Sequence, residues 1–170
     1  DLLSKSDLAI DLKRNKINLF SQDHCPGNVV YWTRSPYAAI PFETDTSQHP
    51  NLPMELDGKQ IRVALTLAKG NAAMSMEAAK RLFDLDKDSF RMTPIVGTQA
   101  DHPKYRYPFG VLNIDGLLIK NPMIDHDPKI NDCLTYDKEF RRSWCFGGAD
   151  VYLGENELSQ LHLFFAFKEG

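Results

Sequence analysis

Few residues in this chain stand at spacings that could do chemistry. Asp125-His126-Asp127-Pro128 sets two carboxylates around an imidazole, a donor set that a metal ion accepts on paper. Adjacent residues on an extended strand point to opposite faces, so the three do not converge on one ion. A solvated loop is the favoured assignment, and no metal is expected. His24 beside Cys25 has the residue types of a thiolate–imidazole dyad. A plain loop pair next to Pro26-Gly27 is the simpler account. No Gly-x-Ser-x-Gly turn is present to expose a serine nucleophile. Asp150 follows Gly147-Gly148-Ala149, where a turn aspartate bonds backbone N–H groups. Cys133 and Cys145 belong to no C-x-x-C pair, and no histidine follows at zinc-finger spacing. They are either idle thiols or a bridge closing a loop. A bridge adds roughly 3 kcal/mol in the chain-entropy account and implies an oxidising compartment.

These side chains must be positioned by strands. Leu8, Ile10 and Leu12 alternate on one face, Lys13 to Lys16 is a polar turn, and Ile17, Leu19 and Phe20 resume the pattern. That spacing predicts a hairpin over residues 7–20. Val29-Val30-Tyr31-Trp32 is a short β-prone run. Residues 33–51 hold Pro36, Pro41 and Pro50 among polar residues and read as a linker arm. Asp57-Gly58 between two apolar runs predicts a tight hairpin over 52–65, and Asp115-Gly116 predicts a second. Ser75 caps a helix over 76–83, with Ala79, Leu82 and Phe83 on one side. A short helix is expected near 155–161. Leu163 to Phe167, with almost no polar face, is expected to be a closing strand buried on both sides.

The ends of the chain echo each other. Leu3-Ser4-Lys5-Ser6-Asp7-Leu8 and the residues to Lys13 match Leu158-Ser159-Gln160-Leu161-His162-Leu163 and the residues to Lys168 at Leu, Ser, Leu and Lys. The chain therefore reads as opening on the closing strand of one lobe and ending on that of another. Residues 1–32 are expected to be the tail hairpin of a preceding lobe, 33–51 an arm, and 52–170 a lobe.

Composition narrows the class. The 170 residues are 42% hydrophobic and 25% charged, which excludes a disordered or collagen-like chain. A net charge of −3 gives no electrostatic footprint for nucleic acid. No apolar run approaches the roughly 20 residues that span a bilayer. No signal peptide is visible at the first residue, which fits a cytoplasmic chain or a processed one.

Three segments resemble the retropepsin-like aspartic peptidases, in particular bacterial members with repeated lobes. Tyr152-Leu153-Gly154-Glu155-Asn156-Glu157-Leu158 is similar to the family's apolar-apolar-Gly-x-Asn/Asp-x-Leu segment, where a strand beneath the active site turns into a short helix. Leu161 to Glu169 is similar to its closing strand. The order hairpin, loop, helix, long hairpin over 52–124 is similar to a lobe with its flap. The resemblance implies a mainly β, closed lobe with two short helices, no cofactor, and a peptide or protein ligand. It also implies a flap at Val96, Gly97, Thr98, Tyr105 and Tyr107, and a second lobe or homodimer partner.

One departure dominates. After Ile61-Arg62-Val63-Ala64-Leu65 the family places Asp-Thr-Gly, whereas this chain has Thr66-Leu67-Ala68, then Lys69. The family's chemistry needs two carboxylates sharing a proton across two lobes. A threonine hydroxyl has no pKa near neutrality and cannot be that base. Asp150 is the weak candidate to stand in, from the underside. The resemblance therefore implies a degenerate lobe, non-catalytic by itself, that binds peptide or serves as a scaffold half. The alternative is an active endopeptidase whose carboxylate comes from another lobe or chain. A periplasmic or secreted location goes with the possible bridge, a cytoplasmic one without it.

Overall fold

Turn chemistry fixes most of the backbone. The computed structural model describes residues 5–23, 30–35, 37–44, 50–67, 70–98, 103–128 and 149–167. In chain order the strands are β1 (Ser6–Asp11), β2 (Lys16–Ser21), β3 (Glu43–Thr44), β4 (Pro50–Leu56), β5 (Lys59–Leu65), β6 (Ala73–Met74), β7 (Thr93–Pro94), β8 (Tyr105–Pro108), β9 (Val111–Ile114), β10 (Leu117–Lys120), β11 (Met123–His126), β12 (Val151–Leu153) and β13 (His162–Phe165). The α-helices are α1 (Met76–Phe83) and α2 (Glu155–Leu158).

The two Asp-Gly turns behave as their sequence requires. Asp57 and Gly58 both take positive φ, 44° and 79°, as do Asp115 and Gly116 at 48° and 92°. That left-handed pair matches the twist of the strands it joins. Asp57 does more than turn. Its carboxylate accepts the N–H groups of Gly110 (2.9 Å) and Val111 (2.7 Å), which ties the β4–β5 hairpin to the start of β9. The long hairpin that the resemblance implies is interrupted at this point, between β8 and β9.

Strands β10, β9, β4, β5, β12, β6, β11, β8 and β7 lie in that order in one sheet, with β3 on the edge of β4. Strand β12 is central and buried at all three positions. It runs parallel to β5 and antiparallel to β6. The core is Leu56, Val63, Met74, Leu112, Ile124, Val151 and Leu153, all fully buried. Helix α1 starts where Ser75 accepts the Ala78 N–H at 3.0 Å and ends at Asp84 in the left-handed region. It buries Ala78 and Ala79.

Strands β13, β1 and β2 form a second, three-stranded sheet. The hairpin over 7–20 forms, but its buried face is the opposite of the one the apolar alternation indicates. Asp7, Ala9 and Asp11 are buried, while Leu8 and Ile10 are half-buried and Ile17 and Leu19 are 60% and 51% exposed. The cause is an aromatic layer. Val30-Tyr31-Trp32 is not a strand; instead Trp32 stacks on His162 with ring centroids 3.7 Å apart, and Tyr31 packs on Phe20. His162 and Phe20 share the face of Asp11 and Asp7 by register. The buried aspartates are satisfied locally: Asp7 accepts the Phe167 N–H, and Asp11 accepts the Arg14 N–H and guanidinium. Closing strand β13 is correspondingly not buried on both sides. It is an edge strand, half-buried except at Phe165, and only β1 pairs with it among the described residues.

Asp125-His126-Asp127 is not the solvated loop expected of it. It ends β11 inside the larger sheet, with His126 fully buried. Cys25, Cys133 and Cys145, with the bridge considered for them, lie outside the described residues, as do His24, Ala68 and Lys69.

Candidate functional site

The loop after β5 is held from below by the turn after β12. The Thr66 N–H donates to the Leu153 carbonyl at 3.0 Å, and the Asn156 N–H donates to the Gly70 carbonyl at 2.8 Å. Gly154 sits between them. A Cβ there would stand 2.6 Å from the carbonyl carbon and oxygen of Asn71 and 2.8 Å from the Gly70 oxygen. All three are backbone atoms, so glycine is required by close approach and not by its φ, which is extended.

Side chains then link the loop to strands β11 and β8. Asn156 Nδ2 donates to Asn71 Oδ1 at 2.7 Å, and Asn71 Nδ2 donates to Asp125 Oδ2 at 3.1 Å. Asp125 also takes both arms of Arg106, Nε at 2.6 Å and Nη2 at 3.0 Å. This fork is the strong, oriented kind of ion pair. It raises the Arg106 pKa further, chiefly by hydrogen bonding. Four elements, the loop after β5, α2, β11 and β8, thus share one polar chain.

Two buried titratable groups flank that chain. His126, on the opposite face of β11 from Asp125, is pushed down to about 4 by burial, with the Asp125 charge opposing. Neither of its ring nitrogens has a hydrogen-bond partner among the described residues, and Phe109 is its ring neighbour at 6.2 Å. Glu157, buried in α2, has its carboxyl pushed up by burial, against backbone N–H groups that favour the anion.

At the loop itself Thr66 is half-buried and Leu67 is 52% exposed. Asp150 makes a structural pair: it accepts the Arg62 N–H at 2.8 Å and the Arg81 guanidinium at 2.5 Å. That joins β5 to α1. Among the described residues no group of three or more His, Cys, Asp or Glu side chains could hold a metal ion. No helix there is long and apolar enough to cross a membrane.

In the segment between β7 and β8, where the resemblance implies a flap, the Ile95 N–H donates to the Lys104 carbonyl at 2.9 Å, and Thr98 Oγ1 donates to the Ile95 carbonyl at 3.1 Å. Gly97 has φ +83°, and Val96 is 99% exposed. Tyr107 turns to the core, edge-on to Phe109 at 5.0 Å and under the Arg91 guanidinium at 5.9 Å. Tyr105 is half-buried in β8. Sequence reasoning missed Asn71 and the Arg106–Asp125 fork. Their signal was polarity at alternate strand positions: Arg106 stands between Tyr105 and Tyr107, and Asp125 between Ile124 and His126.

No family model matches the sequence. No curated protein matches it either. Solved structures do overlap with it. A retropepsin-like aspartic protease from Rickettsia conorii is 10% identical, with 74% of this chain and 86% of that one covered, at a TM-score of 0.46. The EIAV protease complexed with the inhibitor HBY-793 is 13% identical over 69% and 92% of the two chains, at 0.43. The retroviral protease-like domain of Ddi1 from Leishmania major is 14% identical over 65% and 74%, at 0.38. Overlaps this partial carry no weight alone. The element order agrees with what the resemblance implies: hairpin, loop, helix, long hairpin, glycine turn, short helix and closing strand follow each other in a mainly β fold.

Proposed function

We propose that this chain is a degenerate aspartic-protease-like lobe, without aspartic chemistry of its own, that holds an extended peptide or protein segment between the flap hairpin and the Thr66 loop, as one half of a two-lobe unit. One observation supports this reading: the loop that Gly154, Asn156 and Asn71 hold in place carries Thr66 and Leu67, at the position where the resemblance implies the family's carboxylate. Two carboxylates of the neighbouring strands are engaged elsewhere, Asp125 by Arg106 and Asn71, and Asp150 by Arg81. Without a base to activate water, general acid–base assistance of roughly 10²–10⁴-fold is gone, and with it the charge that polarises a peptide carbonyl.

Peptide holding needs none of that chemistry. A flap hairpin and an apolar loop residue can bond and cover an extended backbone as an added strand. Val96 and Gly97 at the flap and Leu67 at the loop supply exposed apolar and backbone surface for it. Residues 1–32 would be the tail hairpin of a preceding lobe in this account, and a periplasmic or secreted location goes with a Cys133–Cys145 bridge.

The test is turnover of an unstructured protein by the purified chain between pH 3 and 7, alongside its binding by fluorescence anisotropy. Binding without turnover is the expected result, weakened by Val96→Asp. Cleavage that pepstatin abolishes would establish the alternative, an endopeptidase with a carboxylate from another lobe or chain.

A further inference from the structure

The outer face of the β4–β5 hairpin carries a cavity apart from the Thr66 loop and the polar chain beneath it. The core takes Met54 and Leu56 from β4 and Ile61 and Val63 from β5, so Glu55 and Gln60 point the other way. Cross-strand register aligns them. Gln60 on β5, Glu55 on β4 and Asn113 on β9 stand in one row, and Leu118 on β10 continues it. Ile40 and Pro41, from the arm before β3, and Pro53 on β4 line a cavity of about 310 Å³ with Glu55, Gln60, Asn113 and Asp115 as its polar groups. Gln60 and Thr66 stand at opposite ends of β5, so the cavity lies roughly 20 Å along the strand from the Thr66 loop.

Two of the polar groups are carboxylates, and none of the lining groups is basic. Neither Glu55 nor Asp115 has an ion-pair partner among the described residues. Asn113 Oδ1 accepts the Gly116 N–H at 2.8 Å, which holds the turn carrying Asp115 beside the row. The cavity is therefore preformed and electrostatically one-sided. We propose that it seats the cationic side chain of an extended peptide segment, arginine before lysine. The aliphatic stem would lie on Ile40, Pro41 and Pro53, with the charged head among the acceptors. A guanidinium offers five donors in a fixed plane and suits several acceptors at once, whereas an ammonium is a point charge. Volume sets the size of the occupant: it stands at the lower end of the range for ligand sites, room for one side chain and not for a folded element. A free amino acid would bring its own carboxylate against Glu55 and Asp115 with no cation to meet it. A side chain carried on a peptide does not. Leu118, 57% exposed at the end of the row, offers apolar surface to the residue beside it. The inference does not depend on what the Thr66 loop holds.

Amide chemical shifts of the whole, isotope-labelled chain, titrated with N-acetyl-arginine N-methylamide, test this directly. Saturable shifts should centre on Glu55, Gln60, Asn113 and Asp115, and binding should weaken in high salt. The matching citrulline compound keeps the shape without the charge and should bind roughly tenfold more weakly. The lysine compound should fall between the two. Glu55→Gln with Asp115→Asn should weaken arginine binding by a similar factor. Both changes conserve size, and asparagine keeps the left-handed turn before Gly116, so the variant should fold. Val96→Asp, between β7 and β8, should leave this binding unchanged, which separates failure here from failure of peptide holding at the Thr66 loop. A folded chain without saturable shifts at the four residues would overturn the proposal. So would equal binding of the citrulline compound, or shifts that persist in the double variant. A preference for free diaminobutane over the blocked arginine would overturn the peptide as occupant.

Discussion

The turn at Gly154 and the loop at Thr66 lie against each other and are built on opposite terms. Beneath the loop the polar groups form a chain: Asn156 to Asn71, Asn71 to Asp125, Asp125 to Arg106, and backbone N–H groups to the Leu153 and Gly70 carbonyls. On the loop, the position where the resemblance implies a carboxylate holds a hydroxyl, and the next residue is an exposed leucine. The difference separates two demands that one motif normally meets together. Holding a loop between parallel strands β5 and β12 is a requirement of the fold, separate from any chemistry the loop carries.

The largest effect should come from breaking the support. Gly154→Ala puts a methyl group within 2.6 Å of the Asn71 backbone, which cannot rotate away. Overpacking against fixed atoms costs about 3 kcal/mol or more. The urea midpoint should fall accordingly with an unchanged slope. A variant as stable as the parent would mean that the turn is not the rigid support described.

Acid should come next, through His126 on the other face of the strand that carries Asp125. Its folded pKa of about 4 lies below the ordinary 6.5. The unfolded chain therefore binds the extra proton first. Stability is fully present above pH 6.5 and is lost as pH falls toward 4, by roughly 3 kcal/mol in total. Glu157, with its carboxyl pushed up, works in the opposite sense and gains stability as pH falls. The His126 contribution is therefore read as the difference between the parent and His126→Leu, whose stability profile should be flatter between pH 6.5 and 4. Parallel profiles would mean that the imidazole is not buried neutral.

Turn residues made much of this fold legible. Asp57-Gly58, Asp115-Gly116 and Ser75 each force a local geometry whatever surrounds them, and the hairpins and α1 stand where they predict. What could not be read was which surface a face would meet. Leu8, Ile10 and Leu12 look inward by alternation, but the aromatic layer of Tyr31 and Trp32 covers the aspartate face instead. The polar support was hidden for a related reason. Asn71 and Asp125 are 54 residues apart, and Arg106 and Asp125 are 19 apart, so no local pattern links them. The Gly154-x-Asn156 segment was visible, but not what it held.

Cutting the polar chain at its centre should cost less than crowding Gly154. Asp125→Ala leaves the Arg106 guanidinium and the Asn71 amide without their acceptor. Charge-assisted bonds of this kind contribute about 2 kcal/mol. The loss should appear in the urea midpoint and shrink in high salt, since both side chains are partly open to solvent. A salt-independent loss would assign the effect to packing.

The smallest effect is the most specific. Asn156→Ala removes one neutral hydrogen bond, 2.7 Å to Asn71 Oδ1, and leaves the backbone bond from the Asn156 N–H to Gly70 in place. A bond of this type contributes about 1 kcal/mol. If the polar chain positions the loop, the change should be local. Amide exchange should quicken at Thr66 and Asn71, while Val63 and Val151 in the neighbouring strands keep the protection of global unfolding. Asn156→Asp should behave differently, because a carboxylate keeps the geometry but cannot donate to Asn71 Oδ1. It sets two acceptors 2.7 Å apart beside Asp125 and should loosen the loop at least as much as alanine does. Uniform loss of protection in both variants would mean that Asn156 supports the whole sheet, and the division between a fold-serving turn and the loop it holds would fail.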